Sequence, residues 1–200
     1  MTQEQQKQQM SKKALILASG SPRRKQLLEA LGLPFTVQTA DTAEDYPDGL
    51  SIVEIPIHIA TNKAKAVAAL QAADAIILAA DTIVALDGQV LGKPEDTTQA
   101  KSFLRRLSGK THQVVTGVCL YYNGTAHCFA VKTDVHFTAL TDQQISYYVE
   151  NYAPLDKAGA YGIQEWIGMV GIDHIEGDYY NVVGLPVSAV KKALDNILNH

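Results

Sequence analysis

The chain has 200 residues, 46% of them apolar and 19% charged, enough to enclose a sizeable core in one soluble domain or one domain with two lobes. Its net charge of −4 excludes the diffuse basic field that sequence-independent nucleic-acid binding requires, so an anionic ligand has to be met by a local cluster of cations. No apolar run is long enough to span a bilayer.

Residues 1–13 are rich in Gln and Lys and lack an apolar stretch. They are expected to be a disordered extension with no signal peptide or anchor, ahead of a single two-lobed domain over residues 14–200. The expected compartment is the cytoplasm, where Cys119 and Cys128, in two neighbouring strands, stay reduced. Strand-like residues 14–18 and 35–39 flank a helix over residues 22–31, which Gly32 terminates. Residues 42–49 are acidic and turn-rich and predict an exposed loop. A helix follows over residues 51–71, with Ser51 and Glu54 spaced as a capping box and Pro56 marking its first turn.

Residues 75–80 predict a short buried strand, and Asp87-Gly88 a two-residue hairpin between residues 83–86 and 89–91. Asp96 or Thr97 starts a helix ending at Leu107. Asn123-Gly124 sits between strand-like residues 114–122 and 127–138 as a second hairpin. Thr141 with Gln144 caps a helix ending near Tyr152, residues 166–175 predict a strand, Gly177-Asp178 a turn, and Pro186 opens a terminal helix to Leu198. Hairpins demand antiparallel pairs and helical crossovers permit parallel ones, so the expected fold is α/β with a mixed sheet and flanking helices.

Ser19-Gly20-Ser21-Pro22-Arg23-Arg24 directly follows the first strand. A small turn that re-enters as a helix at Pro22 turns unpaired backbone N–H groups outward beside two guanidinium groups, which suits phosphate oxygens. The alternative is that Ser21 only caps a helix whose arginines face solvent. Asp81-Thr82 closes the buried 75–80 strand, setting a carboxylate where ligands bind in open α/β sheets; it is able to hold Mg²⁺ and to draw a proton from water. A local turn at the strand end is the plainer reading. Lys63 on the helix, Lys93 in the stiff Gly92-Lys93-Pro94 turn and the two arginines would, if gathered, hold a triphosphate together with a metal, for which Glu44 is a second ligand; each alone also reads as a solvated side chain. The Gly- and Ala-rich run 156–164 allows close backbone approach, and Gln164 offers an amide matching the amide edge of a pyrimidine, or else merely a cap in a glycine loop. Residues 177–186 read as structural support. His58, His112, His127, His136, His174 and His200 show no metal-ligand spacing, and no Ser/His/Asp order supports a covalent nucleophile.

In order from Ala14 to the C-terminus, the segments Ser19-Gly20-Ser21-Pro22-Arg23-Arg24, Ala80-Asp81-Thr82, Leu91-Gly92-Lys93-Pro94, Leu107-Ser108-Gly109-Lys110-Thr111-His112, residues 156–164 and Gly184-Leu185-Pro186 resemble the Maf family of nucleotide pyrophosphatases. The resemblance implies a two-lobed α/β fold with a central cleft, related to inosine triphosphate pyrophosphatases, often as a homodimer. It implies hydrolysis of a nucleoside triphosphate to the monophosphate and pyrophosphate with Mg²⁺ or Mn²⁺. By position, Asp81 resembles the proton acceptor, Arg23, Thr82 and Gln164 the substrate-selecting residues, and Ser19, Arg24, Glu44, Lys63 and Lys93 the phosphate and metal contacts. Gly162-Ile163-Gln164 is similar to the dTTP and UTP branch as opposed to the 7-methyl-GTP branch, although Glu165 and Trp166 follow where the pattern usually has glycine. A pyrophosphatase for another modified nucleotide, or a non-catalytic regulator of cell division, remains open.

Overall fold

Alternation along three central strands explains most of the architecture. The computed structural model describes residues 13–199; apart from Lys13, the expected N-terminal extension lies outside the described residues. Strands β1 (Leu15–Leu17), β2 (Thr36–Val37), β3 (Ile76–Leu86), β4 (Gln89–Leu91), β5 (Thr111–Tyr122), β6 (Thr125–Phe137) and β7 (Ile172–Glu176) form one sheet in the order β2-β1-β3-β5-β6-β7, with β4 paired to β3. β1 runs parallel to β2 and β3, whereas β3/β4 and β6/β7 are antiparallel, so the sheet is mixed as expected. Both predicted two-residue turns form, with positive φ at Asp87 and Gly88 and at Asn123 and Gly124.

The helices are α1 (Pro22–Ala30), α2 (Glu54–Ala68), α3 (Thr97–Leu107), α4 (Asp142–Tyr152), α5 (Trp166–Gly171), α6 (Tyr179–Val183) and α7 (Val187–Leu198). Their starts follow local chemistry. Asp96 caps α3 through Gln99 N, and Thr141 with Gln144 forms a complete capping box on α4. The Ser51–Glu54 box also forms, Ser51 N donating to Glu54 Oε2 at 2.9 Å, although regular α2 begins only at Glu54.

The chain divides into two compact units, one through Asp81 with Thr116–Val131 and from Gly184 onward, the other comprising Thr82–Val115 and Lys132–Val183. In the first, alternate residues of each strand feed two cores. Leu15, Leu17, Ile76, Leu78, Val118 and Leu120 pack with Leu28 of α1 and Val190 and Leu194 of α7. Their neighbours Ile16, Ala18, Ile77, Ala79 and Cys119 pack against Ala60, Ala64 and Val67 of α2. Gly117 lets α2 approach this closely, because a Cβ there would fall well inside van der Waals contact of the Pro56 and Ile57 backbone. The second unit has its own core, in which Val84, Leu86, Leu104, Leu107, Val135 and Tyr148 take part.

Two expectations need correction. The strand expected to close before Asp81 continues as β3 to Leu86, because the apolar Ile83-Val84-Ala85-Leu86 run is drawn on by its hairpin with β4; Asp81 therefore lies in mid-strand. Residues 166–175 were expected as one strand but split into α5 and β7. In α5 the buried Ile167 and Gly171 recur at helical spacing while Met169 and Val170 face solvent, a period that a short apolar run conceals.

Candidate active site

The first unit holds six of the residues singled out by sequence, Ser19, Arg23, Arg24, Glu44, Lys63 and Asp81. Ala18 N is held by Leu78 O at 2.8 Å, so the chain leaves β1 at a fixed point and buries Ser19. Ser21 then caps α1 through Arg24 N, and Pro22 occupies its first turn. Arg24 does not project into solvent. Its Nη1 donates to Ser19 Oγ at 3.1 Å and its Nε to the Gly184 carbonyl at 2.8 Å. Burial draws this guanidinium below its ordinary range, the negative charge of Asp81 opposes that shift, adjoining Arg23 reinforces it and Glu44 opposes it again. Arg23 itself is half-buried beside it.

Asp81 shares the alternation of Ile77 and Ala79, the residues of β3 that meet α2, and so faces the helix that supplies Lys63. Lys63 Nζ donates to Asp81 Oδ1 at 2.8 Å and to Glu44 Oε1 at 2.7 Å. The buried strand carboxylate and the loop carboxylate thus converge on one cation. Both are hard oxygen donors, and two of them meeting on a single positive charge are a donor set that fits a hard divalent metal ion.

The second unit carries the other three. Thr82 is half-buried in β3, and Lys93 and Gln164 are exposed. The Lys93 turn and the glycine-rich run are tied together, Gly159 N donating to Gly92 O at 3.1 Å. Residues 154–160 fold as two 3₁₀ turns, with Gly159 at φ 67° against Val84, where the absence of a Cβ is required. Sequence reasoning missed what fixes the segment around Gln164. Lys157 is buried and its Nζ meets Glu165 Oε1 at 3.1 Å and Asp156 Oδ1 at 2.7 Å. The Tyr148 hydroxyl donates to Glu165 Oε2 and accepts from Gly162 N at 3.0 Å. Burial, followed by the Glu165 carboxylate, pushes the Tyr148 phenol up, so it serves as a proton donor within the network. The only sequence signal was Glu165 standing where related patterns have glycine.

A half-buried guanidinium, an ammonium and two convergent carboxylates close to a helix N-terminus are groups of the kind that suit phosphate oxygens and a hard divalent ion. The family model described as Maf, Maf-like protein, matches residues 14–197, and the chain belongs to this family. It is 49% identical over 189 residues to a dTTP/UTP pyrophosphatase of Phocaeicola vulgatus, covering 94% of this chain and 98% of that one. It is 50% identical over 185 residues to a dTTP/UTP pyrophosphatase of Cytophaga hutchinsonii, covering 92% and 84%. Among solved structures, a nucleoside-triphosphatase described as a dITP/XTP pyrophosphatase of Mycobacterium abscessus aligns with a TM-score of 0.42 at 16% identity, over 64% of this chain and 75% of that one.

Proposed function

We propose that the protein hydrolyses dTTP and UTP to the nucleoside monophosphate and pyrophosphate. The observation that carries this reading is the Lys63 ammonium joining Asp81 and Glu44, with the half-buried Arg24, held by Ser19 and Gly184, as a further cation of the site. Asp81 accepts a proton from water as that water attacks the α-phosphorus; the bond from the α-phosphorus to its bridging oxygen breaks and pyrophosphate leaves. Lys63 holds Oδ1, and Oδ2 is the oxygen assigned to the water. Arg23, Arg24, Lys63 and Lys93 balance the charge of the triphosphate, and Ser19 keeps Arg24 in place. Mg²⁺ or Mn²⁺ held by Asp81 and Glu44 would add the remaining neutralisation of the phosphates.

Thr82 and Gln164 select the base, with Gln164 presenting a paired donor and acceptor to the amide edge of thymine or uracil. Cytosine replaces a carbonyl with an amine and leaves that amide mispaired, at a cost of about 1–3 kcal/mol. The reading includes a cytoplasmic homodimer, in keeping with two free cysteines and with the family resemblance. No described helix is long and apolar enough to cross a membrane. The test is pyrophosphate release across a panel of triphosphates with and without Mg²⁺. dTTP and UTP should lead dCTP, the purines and 7-methyl-GTP. A lead for 7-methyl-GTP would refute the base assignment, and no release from any member would refute catalysis.

A further inference from the structure

At the β7 edge of the sheet, two histidines and a glutamate share one face. β6 and β7 are antiparallel with His136 opposite His174, and Glu176, two residues further along β7, returns to the same side. The imidazoles stack with centroids 3.9 Å apart and planes within 13°. His136 Nε2 and His174 Nε2 lie 3.6 Å and 3.8 Å from Glu176 Oε1, and the donor atoms of all three residues lie within 4.8 Å of one another. His136 Nε2 is buried and has no hydrogen-bond partner among the described residues. A buried ring nitrogen left unmatched 3.6 Å from a carboxylate oxygen, too far for a hydrogen bond, calls for an explanation, and a bound ion supplies one.

The other face of each ring is already committed. His174 Nδ1 lies 2.8 Å from Asp173 Oδ2, and a carboxylate accepts only, so Nδ1 carries the proton there and Nε2 points away from it. His136 Nδ1 lies 2.8 Å from Thr111 Oγ1, which is able to accept in the same way. Histidines that ligate metals through Nε2 are oriented by this type of Nδ1–H donation to a carboxylate or hydroxyl.

We propose that His136, His174 and Glu176 form a binding site for a divalent ion of the zinc class, with a water or added ligand completing the coordination. Two imidazole nitrogens and one carboxylate suit Zn²⁺, Co²⁺ or Ni²⁺ and disfavour Mg²⁺, which sets this site apart chemically from the carboxylate pair Asp81 and Glu44. The two edges to Glu176 come close to the required spacing. Tetrahedral bonds of roughly 2.0–2.1 Å separate ligand atoms by about 3.3 Å, so the observed 3.6 Å and 3.8 Å edges need to contract by only a few tenths of an ångström. Bound there, the ion would clasp the edge strand β7 to β6.

The experiment titrates untagged full-length protein with Zn²⁺ by calorimetry in the presence of excess Mg²⁺, and records the visible spectrum with Co²⁺. The parent should bind one Zn²⁺ that Mg²⁺ does not displace, give Co²⁺ bands of nitrogen and oxygen ligation, and melt at higher temperature with Zn²⁺. The double variant His136→Gln/His174→Gln, altered at partly exposed positions, should fold and lose both the uptake and the Zn²⁺-dependent shift. Asp173→Asn should weaken binding by about tenfold or more. Equal uptake by parent and double variant, no uptake by the parent, or intense thiolate charge-transfer bands assigning the ion to the cysteines would each overturn the proposal.

Discussion

Removing the ammonium that joins the two carboxylates is the perturbation whose size follows most directly from the geometry. Lys63 and Asp81 side chains are 16% and 11% exposed and meet at 2.8 Å. At an effective dielectric of about 20 the direct attraction at that separation is about 6 kcal/mol, most of which is offset by taking both charges out of water. Glu44 is 48% exposed, so its contact with Lys63 adds less than about 1 kcal/mol. A double-mutant cycle of Lys63→Met and Asp81→Asn, read by urea unfolding at neutral pH without metal, should therefore give a coupling energy of about 2 kcal/mol. Lys63→Met alone should be the least stable of the four proteins, because it leaves Asp81 charged, enclosed and facing Glu44. A coupling within about 0.3 kcal/mol of zero would refute the idea that this ammonium binds the carboxylates into one unit.

Other consequences are equally open to measurement. Gly117→Ala should force α2 away from β5 at Pro56 and Ile57, costing about 1–3 kcal/mol in urea unfolding and lowering turnover by shifting Lys63; an unchanged midpoint would contradict the packing. Burial pushes His112 down to about 4, so its folded form stays neutral while the unfolded chain takes up a proton near its ordinary pKa of 6.5. Stability should accordingly fall by up to about 3 kcal/mol as pH drops from 6.5 toward 4, and His112→Gln should flatten that part of the profile. The Cys119 thiol donates to Cys128, and that bond, with smaller help from Thr61 and Lys65, draws the Cys128 thiol below its ordinary range against the effect of burial. Iodoacetamide at pH 7 should label Cys128 well ahead of the buried Cys119, and equal labelling by mass spectrometry would disprove the assignment.

Local rules accounted for the turns and caps, since each depends on neighbours in sequence. Asp87-Gly88, Asn123-Gly124, Asp96 and the Thr141–Gln144 box all act over fewer than five residues. What the sequence concealed depended on distant partners. The alternation that aims Asp81 at α2 appears only once β3 is known to continue past it, and that continuation follows from pairing with β4. Arg24 turns inward because the Gly184 carbonyl, 160 residues away, receives it. The network around Glu165 needs Tyr148 from another helix. His136 and His174, 38 residues apart, become neighbours only through the register of β6 and β7, which no linear ligand spacing reveals.

The most direct test of the catalytic reading is the turnover of Asp81→Asn with dTTP and Mg²⁺, measured as pyrophosphate released per enzyme, with unfolding confirming an intact fold. Loss of the proton acceptor should reduce kcat by about two to four orders of magnitude. Turnover within a few-fold of the parent would contradict the assignment of Asp81.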